Sequence, residues 1–215
     1  MRAKGFHCIA GLDEVGRGPL AGPVVAAAVV LDLDRAPGGL ADSKCLSADR
    51  RDELFALILA TSRVGIASIP SSEIDRINIR QATLSAMCKA LAALPCHPDL
   101  ALVDGNDPPA LPCATEAIIG GDATVASIAA ASIVAKVVRD RLMRRLADRF
   151  PAYGFTTNVG YGTAEHRAAL DQNGPTPFHR LTFGPCAKAA SSLSRLIGVN
   201  SKNATESTGR QELPT

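Results

Sequence analysis

Residues 11–31 read GLDEVGRGPLAGPVVAAAVVL. The reading of this stretch sets the fold. Residues 5 to 12 form an apolar first strand and residues 23 to 31 a second, joined by the turn-rich run Gly16-Arg17-Gly18-Pro19-Leu20-Ala21-Gly22-Pro23. Spaced glycines after a strand also mark the phosphate-cradling loop of dinucleotide folds. That loop opens a helix, whereas Pro19 and Pro23 interrupt this one and the run from Val24 continues as strand. The joint connects strand to strand, and Arg17 between two glycines suits contact with a phosphodiester.

Asp13 and Glu14 sit where the first strand gives way to the glycines. Adjacent carboxylates repel, and on a regular strand they face opposite ways, so a shared metal requires the chain to turn there. Taken alone, the pair reads equally well as exposed acids at a strand end.

Working outward, a third strand is expected near Arg63 to Ile69, after a helix capped by Ser47 with Leu54, Phe55, Ile58 and Leu59 on one face and Asp49 in its first turn. Ser71 or Ser72 caps a helical region to about Leu94, with Leu84, Met87, Leu91 and Leu94 as one buried stripe. Leu100 to Val103 is a short strand running into Asp104-Gly105-Asn106, and Glu116 to Ile119 another running into Gly120-Gly121-Asp122. A long alanine-rich helix spans about Thr124 to Arg149. A glycine-containing loop (Gly154 to Gly162), a helix near Ala164 to Gln172 and a last helix near Pro185 to Ile197 follow. Alternating strands and helices give an α/β class with a central sheet flanked by helices and a C-terminal helical region. One domain over residues 1–198 is expected, followed by a disordered tail over 199–215, whose Ser/Asn/Thr/Glu composition has little to bury.

Composition narrows the function classes. No apolar run approaches the roughly 20 residues of a membrane span, and no charged-then-apolar leader opens the chain, so a cytoplasmic protein with no membrane partner is expected. The 6 cysteines show no C-x-x-C pair, and the 4 histidines no zinc-like spacing. A formal charge of +2 announces no polyanion, so the distribution of charge must carry any such reading. Lys136, Arg139, Arg141, Arg144, Arg145 and Arg149 stripe the long helix. The distal arginines read as a solvated face, and Lys136 as the better ligand-facing group. Lys44 and Arg180 read as phosphate contacts, and Tyr161 between Gly160 and Gly162 as an accessible ring. Only 2 tyrosines and no tryptophan argue against a platform for single-stranded bases.

Asp104 and Asp122, at strand ends, join Asp13 and Glu14 as a set of four acids able to converge. Such hard oxygen donors suit Mg2+ or Mn2+. A non-catalytic hybrid-binding module and a DNA-cutting nuclease of related fold are the competing readings. The first leaves four acids unexplained, and the second has no need of a group that reads a ribose 2′-hydroxyl.

The stretches GLDEVGRGPLAGPVVAAAV (Gly11 to Val29), DSKCLS (Asp42 to Ser47), EIDRINIRQATLSAM (Glu73 to Met87), LVDGN (Leu102 to Asn106), GGDATVASIAAASIVAKVVRD (Gly120 to Asp140), GYGTAEH (Gly160 to His166) and HRLTFGP (His179 to Pro185) closely resemble bacterial ribonuclease HII. The resemblance implies a ribonuclease H-like fold and an endoribonuclease; the oligomeric state is not readable from the residues, and a monomer is the default expectation. It further implies cleavage of the RNA strand of RNA–DNA hybrids, and of DNA duplexes on the 5′ side of a single embedded ribonucleotide, leaving 5′-phosphate and 3′-hydroxyl ends. Asp13, Glu14, Asp104 and Asp122 match the family's catalytic metal-site acids. Gly16, Arg17 and Gly18 match its reader of the 2′-hydroxyl and phosphate, and Tyr161 the ring that packs on the neighbouring deoxyribose. Ser43, Lys44 and Asn106 fall in substrate-side motifs. The related HIII branch has lysine in place of Arg17 and an N-terminal extension, so HII is the better match. Cys45 and Val159 stand where the family commonly has lysine, which bears on substrate affinity and its salt dependence.

Overall fold

The structure, a computed structural model, describes residues 5–192. In chain order its elements are β1 (Ile9–Val15), β2 (Val24–Leu31), α1 (Ala48–Thr61), β3 (Ser62–Ile69), α2 (Ser71–Ala92), β4 (Leu100–Asp104), β5 (Ala114–Ile118), α3 (Gly121–Thr124), α4 (Ala126–Arg149), α5 (Phe155–Asn158) and α6 (Ala164–Asn173). A further helix, α7, occupies residues 184–192. The rest of the expected last helix and the expected tail lie outside the described residues. Among the described residues, no helix is long and apolar enough to cross a membrane.

The sheet is mixed, with strand order β3-β2-β1-β4-β5. β1, β2 and β3 form an antiparallel meander, while β4 and β5 run parallel to β1. β2 is buried at every position because both of its faces are covered, which explains the apolar run without alternation. Val24, Ala26, Ala28 and Val30 pack with Ala82, Ala86, Met87 and Ala90 of α2. Val25, Ala27, Val29 and Leu31 pack with α1 and with Ala130, Ala131 and Val134 of α4. A third cluster, with Leu20, Met143, Tyr153, Phe155 and Leu170, ties the C-terminal helices to the glycine-rich joint.

Local chemistry explains most element ends. Ser47 Oγ accepts the Arg50 amide and caps α1, and Asp49 lies in its first turn. Leu59 departs from the expected buried face: it is 46% exposed, one position around the helix from the Leu54, Phe55 and Ile58 contact. Neither Ser71 nor Ser72 caps α2. Pro70 holds the N-cap, its carbonyl accepting the Glu73 and Ile74 amides, and the Ser71 hydroxyl donates to the Pro177 carbonyl instead. α2 is also two helical pieces, broken at Asn78 (φ 66°), whose Oδ1 accepts the Gln81 amide as a second cap. Met87, Leu91 and Leu94 are buried and Leu84 half-buried. β5 ends at Ile118, so Asp122 sits in the one-turn α3 rather than at a strand end.

The contact that sets α4 against the sheet occurs at Gly11. A Cβ there would lie 2.2 Å from the Ser127 carbonyl carbon and 2.4 Å from the Ile128 amide nitrogen, so the first turn of α4 rests directly on the β1 backbone. Gly11→Ala is therefore expected to cost about 1–3 kcal/mol, the range for overpacking a core. Gly38→Ala, with nothing within 4 Å of its added methyl, is the near-neutral control. Urea unfolding midpoints check the pair; equal midpoints would mean that α4 does not depend on this approach.

Candidate active site

β1 continues in regular register through Asp13 and Glu14, which pair with Ala27 and Ala26 of β2. The expected turn at this point does not occur, because antiparallel pairing with β2 continues through Val15 and holds the strand extended to its end. The two carboxylates accordingly project to opposite faces. Asp13 shares its face with Ala27 and hydrogen-bonds to Ser132 of α4. Glu14 lies with Thr83 and Met87 of α2 in a cleft that also holds Arg17, Asp104 and Asn106.

Parallel pairing aligns Leu12 with Val103, so Asp104 ends β4 beside Asp13 at the end of β1. Asp104 Oδ1 accepts the amides of Gly121 at 2.8 Å and Asp122 at 3.4 Å, which binds α3 to this edge. Asp122 is buried and receives the Lys44 ammonium at 3.3 Å; Lys44 also lies 3.6 Å from Asp42. Burial is the largest influence on Asp13 and, with the neighbouring charges of Glu14 and Asp104, raises its pKa well above the ordinary carboxylate value despite hydrogen bonds from Ser132 and the Glu14 amide. Burial also raises that of Glu14, opposed by Arg17, whose guanidinium is 3.3 Å away. The Lys44 pKa is raised: burial, the largest single influence, lowers it, and Asp42, Asp122 and Asp13 together outweigh that effect.

The structure therefore brings Asp13, Asp104 and Asp122 to one edge of the sheet, and Asp104 also lines the cleft that holds Glu14 on the other face of β1. Among the described residues, no three His, Cys, Asp or Glu side chains already form a metal-holding group. Each acid is held by another partner: Glu14 by Arg17, Asp104 by two amides, Asp122 by Lys44, and Asp13 by Ser132 and the Glu14 amide. Ser43 Oγ lies 2.9 Å from Ser132 Oγ, so it supports the Asp13 partner from behind.

Two arginines differ from the sequence reading. Arg180, expected as a phosphate contact, is fully buried and donates to the carbonyls of Gly16, Arg17 and Gly22. Arg139, expected on a solvated face, is fully buried and donates to those of Pro23, Ala21 and Val159. Burial and the neighbouring Arg139 bring the Arg180 pKa down to about 9. Nothing in residue type separates such arginines from surface ones; only the carbonyl-rich loop they fill does so. Lys136, expected to face a ligand, is paired with Asp140 at 2.8 Å on its own helix.

The glycine loop is thereby fixed from within. Gly16 has φ +96°, and a Cβ there would strike the Arg139 side chain at 2.3 Å. The Gly16 and Arg17 carbonyls point to Arg180, so the trans-linked amides of Arg17 and Gly18 point the other way. Neither amide has a hydrogen-bond partner among the described residues. The Tyr161 ring is 45% exposed and lies within 3.6 Å of where a Gly18 Cβ would stand. Sequence reasoning missed His166 and His179, both buried, with their Nε2 atoms 2.9 Å apart. Their separation in the chain gives no periodic signal.

Comparison with known proteins agrees with this geometry. The family model described as Ribonuclease HII matches residues 10–186. The ribonuclease HII of Xanthobacter autotrophicus is 61% identical over 183 residues, covering 85% of this chain and 74% of that protein. That of Rhizobium johnstonii is 56% identical over 188 residues, covering 87% and 82%. Among solved structures, the ribonuclease H2 of Pyrococcus horikoshii OT3 aligns with a TM-score of 0.77 at 26% identity, covering 86% of this chain and 98% of that one. A match that spans the sheet, the acids, the glycine loop and Tyr161 makes this chain a member of the ribonuclease HII family, an endoribonuclease on a ribonuclease H-like fold.

Proposed function

We propose that the chain hydrolyses the RNA strand of RNA–DNA hybrids and cuts duplex DNA on the 5′ side of a single embedded ribonucleotide, serving ribonucleotide removal during DNA replication and repair. The observation that carries this reading is the side-by-side placement of a carboxylate edge and a glycine loop with two amides turned outward. The first suits cation-assisted attack on a phosphodiester, and the second can hydrogen-bond a ribose hydroxyl or phosphate at close range.

Asp13, Asp104 and Asp122, with Glu14 from the opposite face, would hold Mg2+ or Mn2+. The donor set fits: all ligands are hard oxygens, and the Lys44 ammonium already rests among them as a cation. When bound, the ions supply a lowered pKa for the attacking water and charge stabilisation for the leaving 3′-oxygen. The protein's own groups set the geometry. The amides of Arg17 and Gly18 face the scissile nucleotide, while Arg17, Lys44 and Asn106 line the path of the backbone. Tyr161 packs against the sugar next to it, where a second hydroxyl would crowd the ring. Ser43 acts through Ser132, and Arg180 and Lys136 act through the loop and α4 rather than by touching substrate.

Two outcomes follow. Asp13→Asn and Asp104→Asn should each lower cleavage of a labelled hybrid by more than about 100-fold, beyond what outer partners of metal sites usually cost. In chelator, Asp13→Asn should leave the melting temperature equal or higher, since it removes a buried charge. Wild-type turnover in either variant would misplace the site, and a hybrid bound but never cut with either ion would leave a binding module instead. Tyr161→Ala should lose cleavage of a singly substituted duplex at least tenfold more than cleavage of an all-RNA hybrid, measured side by side. Equal losses would remove the junction role.

A further inference from the structure

The buried histidine pair lies outside the catalytic edge, yet its hydrogen bonds end on Tyr161, whose ring stands beside Gly18 of the glycine loop. The Thr176 amide, which can only donate, lies 2.9 Å from His179 Nδ1, so that nitrogen carries no proton. Neutral His179 is then protonated at Nε2, which faces His166 Nε2 at 2.9 Å and must donate to it. His166 is left with its proton on Nδ1, 2.8 Å from the Tyr161 carbonyl, which can only accept. Every proton in the chain is thus assigned by its two fixed ends, and all of them point toward Tyr161. A second proton on either ring would set two N–H groups face to face. Consistent with this, burial holds both rings below the ordinary histidine range, His179 at about 4 with the neighbouring ring contributing.

The surroundings give the chain a stiff base. Tyr153 and Phe155 pack against both imidazoles. His179 bridges to Ala21 of the glycine loop, and the next residue, Arg180, holds the Gly16 and Arg17 carbonyls. Two consecutive residues therefore connect to Tyr161, by way of His166, and to the glycine loop.

We propose that His166 and His179 are positioning residues for junction recognition: a one-way hydrogen-bond relay from the Thr176 amide fixes the Tyr161 backbone, and with it the ring, opposite Gly18. The proposal rests on the reading of Tyr161 given above. In a positioning role the relay sets the ratio of cleavage at a single ribonucleotide to cleavage of an all-RNA hybrid, not turnover as such. His166→Asn keeps an amide donor at the place of Nδ1, whereas His166→Gln moves the amide toward the Nε2 position and leaves the Tyr161 carbonyl with the Thr163 amide as its one donor among the described residues.

The test has two arms. In the wild-type protein, nitrogen-15 NMR at neutral pH should report the Nδ1-protonated tautomer for His166 and the Nε2-protonated tautomer for His179; the reverse assignment, or a charged ring, overturns the relay. This arm does not depend on catalysis, so it stands even if the cleavage reading fails. In the second arm, wild type, His166→Asn and His166→Gln are compared on both substrates. His166→Gln should reduce the ratio by about threefold to tenfold, the worth of one buried hydrogen bond, and His166→Asn should hold it near the wild-type value. A ratio unchanged in His166→Gln, or reduced equally in both variants, contradicts positioning through this bond.

Discussion

Two guanidinium groups buried side by side hold the architecture around the site together. Arg139 comes from α4 and Arg180 from the C-terminal segment, and neither makes an ion pair among the described residues. Their charge is met by backbone carbonyls from residues 16–23 and from Val159. Burying a charge is costly unless its donors are all engaged, so the loop and the arginines determine each other. Removing either partner would leave the other with unsatisfied groups in the interior. The loop cannot drift, and its outward amides keep their place relative to the ends of β1 and β4.

The second constraint is electrostatic and opposes the first. Four carboxylates at the ends of neighbouring elements repel, and the fold offsets this locally with Arg17, Lys44, Ser132 and the amides at the start of α3. These are partners that a cation or a polyanionic backbone can replace. Within this account, two of the groups that balance the acids, Arg17 and Lys44, are also groups that meet substrate.

Much of this was legible in the residues. The prolines and β-branched run of residues 19–31 separate a strand-to-strand joint from a nucleotide-binding loop, and Ser47 marks the start of α1. Other features are properties of the assembled sheet and carry no local signal. Asp13 and Glu14 need no turn because β4 arrives in parallel and delivers Asp104 alongside, a matter of register rather than of sequence neighbours. The sequence shows Arg139 as one basic residue in a stripe, yet its buried role depends on a loop over a hundred residues away. The break at Asn78 was likewise hidden, since the run Ser71–Ala92 carries no glycine or proline to mark it. His166 and His179 look like isolated histidines until the chain folds them together.

The central claim is that the edge formed by Asp13, Asp104 and Asp122, with Glu14 behind it, is where divalent ions gather. Anomalous diffraction from crystals of the full chain soaked in Mn2+ tests it most directly. The account predicts a peak bounded by Asp13 and Asp104, with the Lys44 ammonium withdrawn from Asp122. A peak elsewhere, or none at saturating Mn2+ with the edge accessible in the crystal, would contradict it.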